Sequence, residues 1–173
     1  MKTLSLILGV MLVCQIGMAQ DSALQNDLAG SIQYAAGQIK SLAEAIPEDK
    51  YDWAPGEGVR SVQSVLLHVV SASYFFGSKM GATIPQGINP QTMEESVKGK
   101  DNIIQALQKS MDFISSAVKG VSDQDLDTQV DLFGGNKFSE RNVMLIALTH
   151  ISEHKGQLIA YARMNGITPP WSE

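Results

Sequence analysis

The sequence predicts an all-α protein, a four-helix bundle preceded by a cleavable signal peptide. Three observations carry this reading. Beyond residue 20, four segments space their apolar residues three or four apart, the period of a helix that buries one face. Stretches rich in Gly, Pro, Asn and Asp separate those segments and supply the breaks a bundle needs. No segment carries the sustained apolar/polar alternation of a half-buried strand, and no internal repeat is visible.

The leader comes first in the chain. Lys2 gives a short positive start, residues 4–16 are almost wholly apolar, and Gly17 and Ala19 place small residues where a signal peptidase reads them. Cleavage after Ala19 divides the chain into a leader, 1–19, and a single domain, 20–173, that begins with a cyclisable Gln20. A membrane anchor takes about 20 consecutive apolar residues, so this shorter run predicts export to the periplasm or beyond without a stable anchor. Cys14 offers a lipoprotein alternative. Val13 stands before it where a lipobox takes a small residue, which favours plain cleavage.

The mature chain then has no cysteine, and any metal site must be built from His, Asp, Glu and water. Losing Lys2 makes the formal charge one unit more negative than the −5 of the full chain. With no basic cluster to neutralise phosphates, this balance argues against a nucleic-acid partner.

The first helix is expected over residues 22–46, with Leu24, Leu28, Ile32, Ala35 and Ile39 on one stripe and Pro47 as its stop. After a loop through Tyr51, Trp53, Pro55 and Gly58, Ser61 caps a second helix over 62–80 that carries Val65, Leu66, Val69, Ala72 and Phe76. Gly81, Pro85, Gly87 and Pro90 mark a long connection containing a helical turn near 92–97. The third helix spans 101–119, with Ile103, Ile104, Leu107, Met111, Ile114 and Val118 as its stripe and Gly120 as its stop. Residues 122–126 form a turn, and 128–138 read as irregular or weakly extended, broken by Gly134-Gly135. Ser139 caps the fourth helix, 140–164, which ends at Asn165-Gly166; the tail, with Pro170 and Trp171, packs back onto the bundle.

The chemistry-bearing residues are the histidines. His150 and His154 stand at i and i+4 on the fourth helix, so their rings share one face, and Val143, Ile146, Ala147, Leu158 and Tyr161 turn that face inward. His68 lies on the inward stripe of the second helix between Val65 and Ala72. Burying three imidazoles without partners costs a few kcal/mol. They either find separate hydrogen bonds or share one divalent ion, zinc, nickel or iron, that satisfies them together. Two rings from one helix and a third from a facing helix suit such an ion, with positions left open for water or substrate.

Other residues near this stripe have two readings each. Glu153 is about 100° around the helix from His154 and about 60° from His150, and serves as a ring acceptor or as a solvated charge. Gln157 and Tyr161 extend the stripe by one and two turns and orient a ring or a bound molecule, or simply pack. Trp53, Tyr74, Phe75 and Phe76 line a pocket mouth above His68 or belong to the core.

Residues 60–68 (Arg60-Ser61-Val62-Gln63-Ser64-Val65-Leu66-Leu67-His68) resemble the second-helix signature of the DinB-like metal-binding superfamily. The segment His150-Ile151-Ser152-Glu153-His154-Lys155-Gly156-Gln157-Leu158 is similar to its last-helix motif, and residues 53–58 and 163–171 also fit its pattern. The resemblance implies a DinB-like four-helix bundle with unusual connectivity, one divalent metal on His68, His150 and His154, and often a homodimer. Some relatives use the metal to activate a low-molecular-weight thiol for transfer or isomerisation, but they are cytoplasmic, and an exported protein rarely meets such a thiol reduced.

The expected function is therefore a metal-dependent hydrolase or transferase acting on a small-molecule substrate. The alternatives are a bundle that binds metal or ligand without catalysis and a metal-free structural dimer.

Overall fold

The computed structural model describes residues 22–172. The expected leader and cleavage after Ala19, with Cys14 and Gln20, lie outside the described residues. The described chain forms five α-helices: α1 (Ala23–Ala45), α2 (Val62–Lys79), α3 (Met93–Ser96), α4 (Lys100–Gly120) and α5 (Glu140–Met164). Four are long and build the bundle. The four-residue α3 is the helical turn expected in the long connection.

Each long helix turns its predicted stripe inward. Leu28, Ile32 and Ile39 of α1, Val65, Leu66 and Val69 of α2, Ile103, Leu107 and Ile114 of α4, and Val143, Ala147 and Leu158 of α5 are all buried. Each such Val, Leu or Ile side chain contributes roughly 1.5–3 kcal/mol when removed from water. The main interfaces join α1 and α2 each to α4 and α5. Helices consecutive in the chain, α1 with α2 and α4 with α5, are therefore not the principal packing partners. The chain has to cross an end of the bundle at both places, which explains the ordered loops there.

The first crossing is pinned at several points. Tyr51 is buried and donates its hydroxyl to the carbonyl of Ala43 at 2.7 Å, tying the loop to α1. Lys100 donates to the carbonyls of Glu44 and Ile46 at 2.7 and 2.8 Å, satisfying acceptors that the end of α1 leaves unpaired. Ser61 then starts α2 as expected, its side chain accepting from the Ser64 N–H.

The second crossing takes the extended of the two forms expected of it, and pairs it into a ribbon. Residues Gln129–Asp131 (β1) and Lys137–Ser139 (β2) pair as an antiparallel ribbon with Val130 opposite Phe138. Gly134 and Gly135 turn it with φ of 58° and 80°, a region that only glycine enters freely. Strands of three residues are too short to announce themselves by alternation. The ribbon runs straight into α5, where Ser139 accepts from the Asn142 N–H.

Gly120 is not a left-handed stop. It remains helical, and α4 ends because Val121 turns extended. The left-handed glycines close α2 and α5 instead. At α5, Gly166 (φ 74°) donates to Arg163 and Ile167 donates to Ala162, at 3.0 and 2.9 Å, the paired bonds of a Schellman ending. In the tail, Pro169 is the buried residue; Pro170 and Trp171 are exposed and border a groove along α1 with Gln33 and Gly37. Among the described residues, no helix is long and apolar enough to cross a membrane.

Candidate metal centre

The α2–α5 interface brings the three histidines together. Nε2 of His150 lies 3.1 Å from Nε2 of His68 and 3.3 Å from Nε2 of His154. One ring nitrogen from each residue can be chosen so that all three lie within 4.8 Å of one another. Nitrogens bound about 2.0–2.1 Å from one ion at tetrahedral or octahedral angles stand roughly 2.9–3.4 Å apart. Both separations from His150 fall within that range, and the third pair lies within 4.8 Å, a spacing from which the rings can close on a single divalent ion.

Hydrogen bonding decides which lone pairs converge. His154 Nδ1 sits 2.8 Å from Gln157 Oε1, which can only accept, so Nδ1 carries the proton and Nε2 is a bare lone pair. Gln157 in turn donates from Nε2 to the Tyr161 hydroxyl at 2.8 Å, and that hydroxyl donates to the Arg60 carbonyl at 3.1 Å. This chain locks the tautomer and ring angle of His154, as a partner outside the ligand set does for a metal-bound imidazole. Nδ1 of His150 is buried without a partner, so the hydrogen-bonding capacity of that ring resides on its Nε2. A proton on that nitrogen reaches one neighbouring ring and leaves the other facing a lone pair. A shared cation would take all three Nε2 lone pairs at once, with His150 then carrying its proton on the unpartnered Nδ1.

Electrostatics point the same way. Burial lowers His68 to about 4, reinforced by Arg60 and His154. Burial likewise lowers His150 to about 4, reinforced by His154, His68 and Arg60 against the upward pull of Glu153. Both rings are neutral at pH 7 and present lone pairs, the form a divalent ion requires.

The surroundings sort the remaining residues singled out in the sequence. Gln157 and Tyr161 belong to the centre, and Trp53 packs edge-on against Tyr161 with ring centroids 5.4 Å apart. Phe76 is buried against His150 at 5.5 Å. Tyr74 is absent from this side; it packs on Phe113 of α4. Phe75 stacks on the half-exposed Phe133 of the ribbon. Glu153 stands exposed at the surface.

Two residues of the site escaped the sequence reading. Glu94, on α3, places Oε1 4.0 Å from His68 Nδ1, and Arg60 places Nη2 3.7 Å from the same oxygen. Arg60 lies inside the quoted second-helix motif, but nothing in the spacing connects it to Glu94, 34 positions on.

Comparison with known proteins agrees with this architecture. The model of the DinB family matches residues 18–173. The Bacillus subtilis protein YjoA is 26% identical over 130 residues, covering 73% of this chain and 81% of YjoA. A DinB-like protein from Bacillus cereus superposes with a TM-score of 0.71 at 19% identity, covering 84% of this chain and 95% of its own. Bacillus subtilis YfiT, described as a probable metal-dependent hydrolase with an unusual four-helix bundle topology, superposes with a TM-score of 0.67 at 10% identity, over 83% of this chain and 89% of its own. At these identities the structural matches establish the fold alone.

Proposed function

The chain belongs to the DinB family, and from that premise we propose that it is an exported, metal-dependent enzyme of the hydrolase or thiol-transferase type. One divalent ion is held by His68, His150 and His154. The observation that carries the proposal is the convergence of three imidazoles on one point, with one of them locked by Gln157 in the ligating tautomer.

An ion in such a set supplies Lewis acidity, polarising a carbonyl or phosphoryl oxygen and acidifying water or a thiol near neutral pH. The protein supplies the rest. His150 is held by burial against Phe76, and His154 by the Gln157–Tyr161–Arg60 chain. Trp53 packs edge-on against Tyr161, the residue that anchors Gln157. The description of YfiT as a hydrolase is in keeping with this reading.

A screen of nitrophenyl esters and phosphoesters, with a thiol-transfer assay in parallel, tests it. An activity lost on chelation, restored by metal and absent from His68→Ala supports the enzyme. A second reading, an ion that only staples α2 to α5, is favoured by one observation: Gln157 and Tyr161 are occupied in holding a ring. In that case chelation lowers the melting temperature and no substrate turns over. Export is tested by amino-terminal sequencing of protein from the native host, where a start at Gln20 supports it and an intact Met1 contradicts it.

A further inference from the structure

Two arms reach the histidine cluster from outside, and both end on one residue. The first runs from His154 through Gln157 and Tyr161 to the main-chain carbonyl of Arg60. The second runs from His68 Nδ1 toward Glu94, whose Oε1 also faces the guanidinium of Arg60. Arg60 immediately precedes Ser61, the cap of α2, so its backbone is fixed where the helix begins. Glu94 is placed by its neighbour in sequence, since Met93 is buried and anchors α3 against the bundle.

We propose that Arg60 is the positioning residue for two of the three ligands, acting on His154 through its carbonyl and on His68 through Glu94. This rests on the metal-centre reading above and adds a carboxylate–imidazole pair to it. The present separation of 4.0 Å between Glu94 Oε1 and His68 Nδ1 is longer than a hydrogen bond, and rotation of the half-exposed carboxylate closes it. With Glu94 accepting, His68 carries its proton on Nδ1 and directs the Nε2 lone pair at His150, as Gln157 already requires of His154. Arg60 contributes by keeping the carboxylate turned toward the ring. An exposed ion pair stabilises the fold by little, so its effect should register on the ring rather than on folding.

The test uses zinc as the probe, full-length mature protein, and a competing chelator. Arg60→Met removes the guanidinium and keeps the carbonyl; Glu94→Ala removes the carboxylate. Each should weaken zinc binding about tenfold or more, the usual loss for an outer partner of a metal-bound histidine. The double variant should be no weaker than Glu94→Ala, because both act through one ring, whereas Arg60→Met with Gln157→Leu should show multiplied losses.

Nitrogen-15 spectra of the metal-free protein give a second readout. Glu94→Ala should shift the His68 ring away from the Nδ1-protonated tautomer and leave His154 unmoved, with thermal melting close to wild type. Wild-type zinc affinity in both single variants, or full multiplication of the Arg60→Met and Glu94→Ala losses, overturns the proposal. So does an unmoved His68 tautomer. If wild type itself binds no zinc, the metal reading fails, and the tautomer measurement still decides whether Glu94 acts on His68.

Discussion

Replacing Gln157 by leucine removes the acceptor of His154 Nδ1 while keeping a side chain of similar size. In the wild type the Nδ1–Oε1 distance is 2.8 Å, and among the described residues that nitrogen has no other acceptor. Without Oε1, the proton is free to move to Nε2, the nitrogen that faces His150. Loss of such a partner typically costs 10–100-fold in metal affinity, or about 1.4–2.7 kcal/mol. The Tyr161 hydroxyl loses a donor but keeps its own bond to the Arg60 carbonyl, so fold stability should fall by only about 1 kcal/mol. Zinc titration against a fluorescent chelator measures the first quantity, and urea unfolding of the metal-free protein the second. A Gln157→Leu variant with wild-type zinc affinity would refute the claim that this hydrogen bond sets the ligand. Gln157→Glu, which retains an acceptor, should stay closer to wild type.

The metal-free protein should lose stability as pH falls from about 6.5 toward 4. His68 and His150 are lowered to about 4 in the fold, so the unfolded chain, with ordinary histidines, takes up protons first. Urea midpoints that stay flat across that window would contradict the burial of these rings. Gly77→Ala should destabilise by about 1–3 kcal/mol, read as a lower thermal midpoint, because the added Cβ collides with the Phe113 ring where α2 meets α4. Glu153→Ala should leave metal stoichiometry unchanged, since Glu153 stands at the surface; a loss as severe as that of a histidine variant would overturn the ligand assignment.

Much of the architecture is legible in the residue pattern because the stripes are long. The 23 residues of α1 and 25 of α5 hold several turns of apolar spacing, and Ser61 and Ser139 mark helix starts by a local hydrogen bond that sequence alone can anticipate. The i, i+4 pair on α5 and the inward position of His68 likewise follow from helical geometry. What the pattern omits is non-local. A stripe says which face of α1 is buried but not that α4 and α5, rather than α2, cover it. Glu94 lies on a helix of four residues, too short for a periodic signal, and meets His68 only because α3 packs on α2. The ribbon at 129–139 hides for the same reason. Gly120 shows the limit of residue type as a stop signal: glycine is permitted to be left-handed there, and the chain does not use the freedom.

The three-histidine centre requires a bound ion. Metal content by mass spectrometry, on protein purified without a histidine tag and beside the His68→Ala, His150→Ala and His154→Ala variants, is the decisive measurement. About one zinc, nickel or iron per chain in the wild type, lost from each variant, is the predicted result. A wild type that holds no stoichiometric metal after reconstitution, or variants that keep it, would contradict the three-histidine centre.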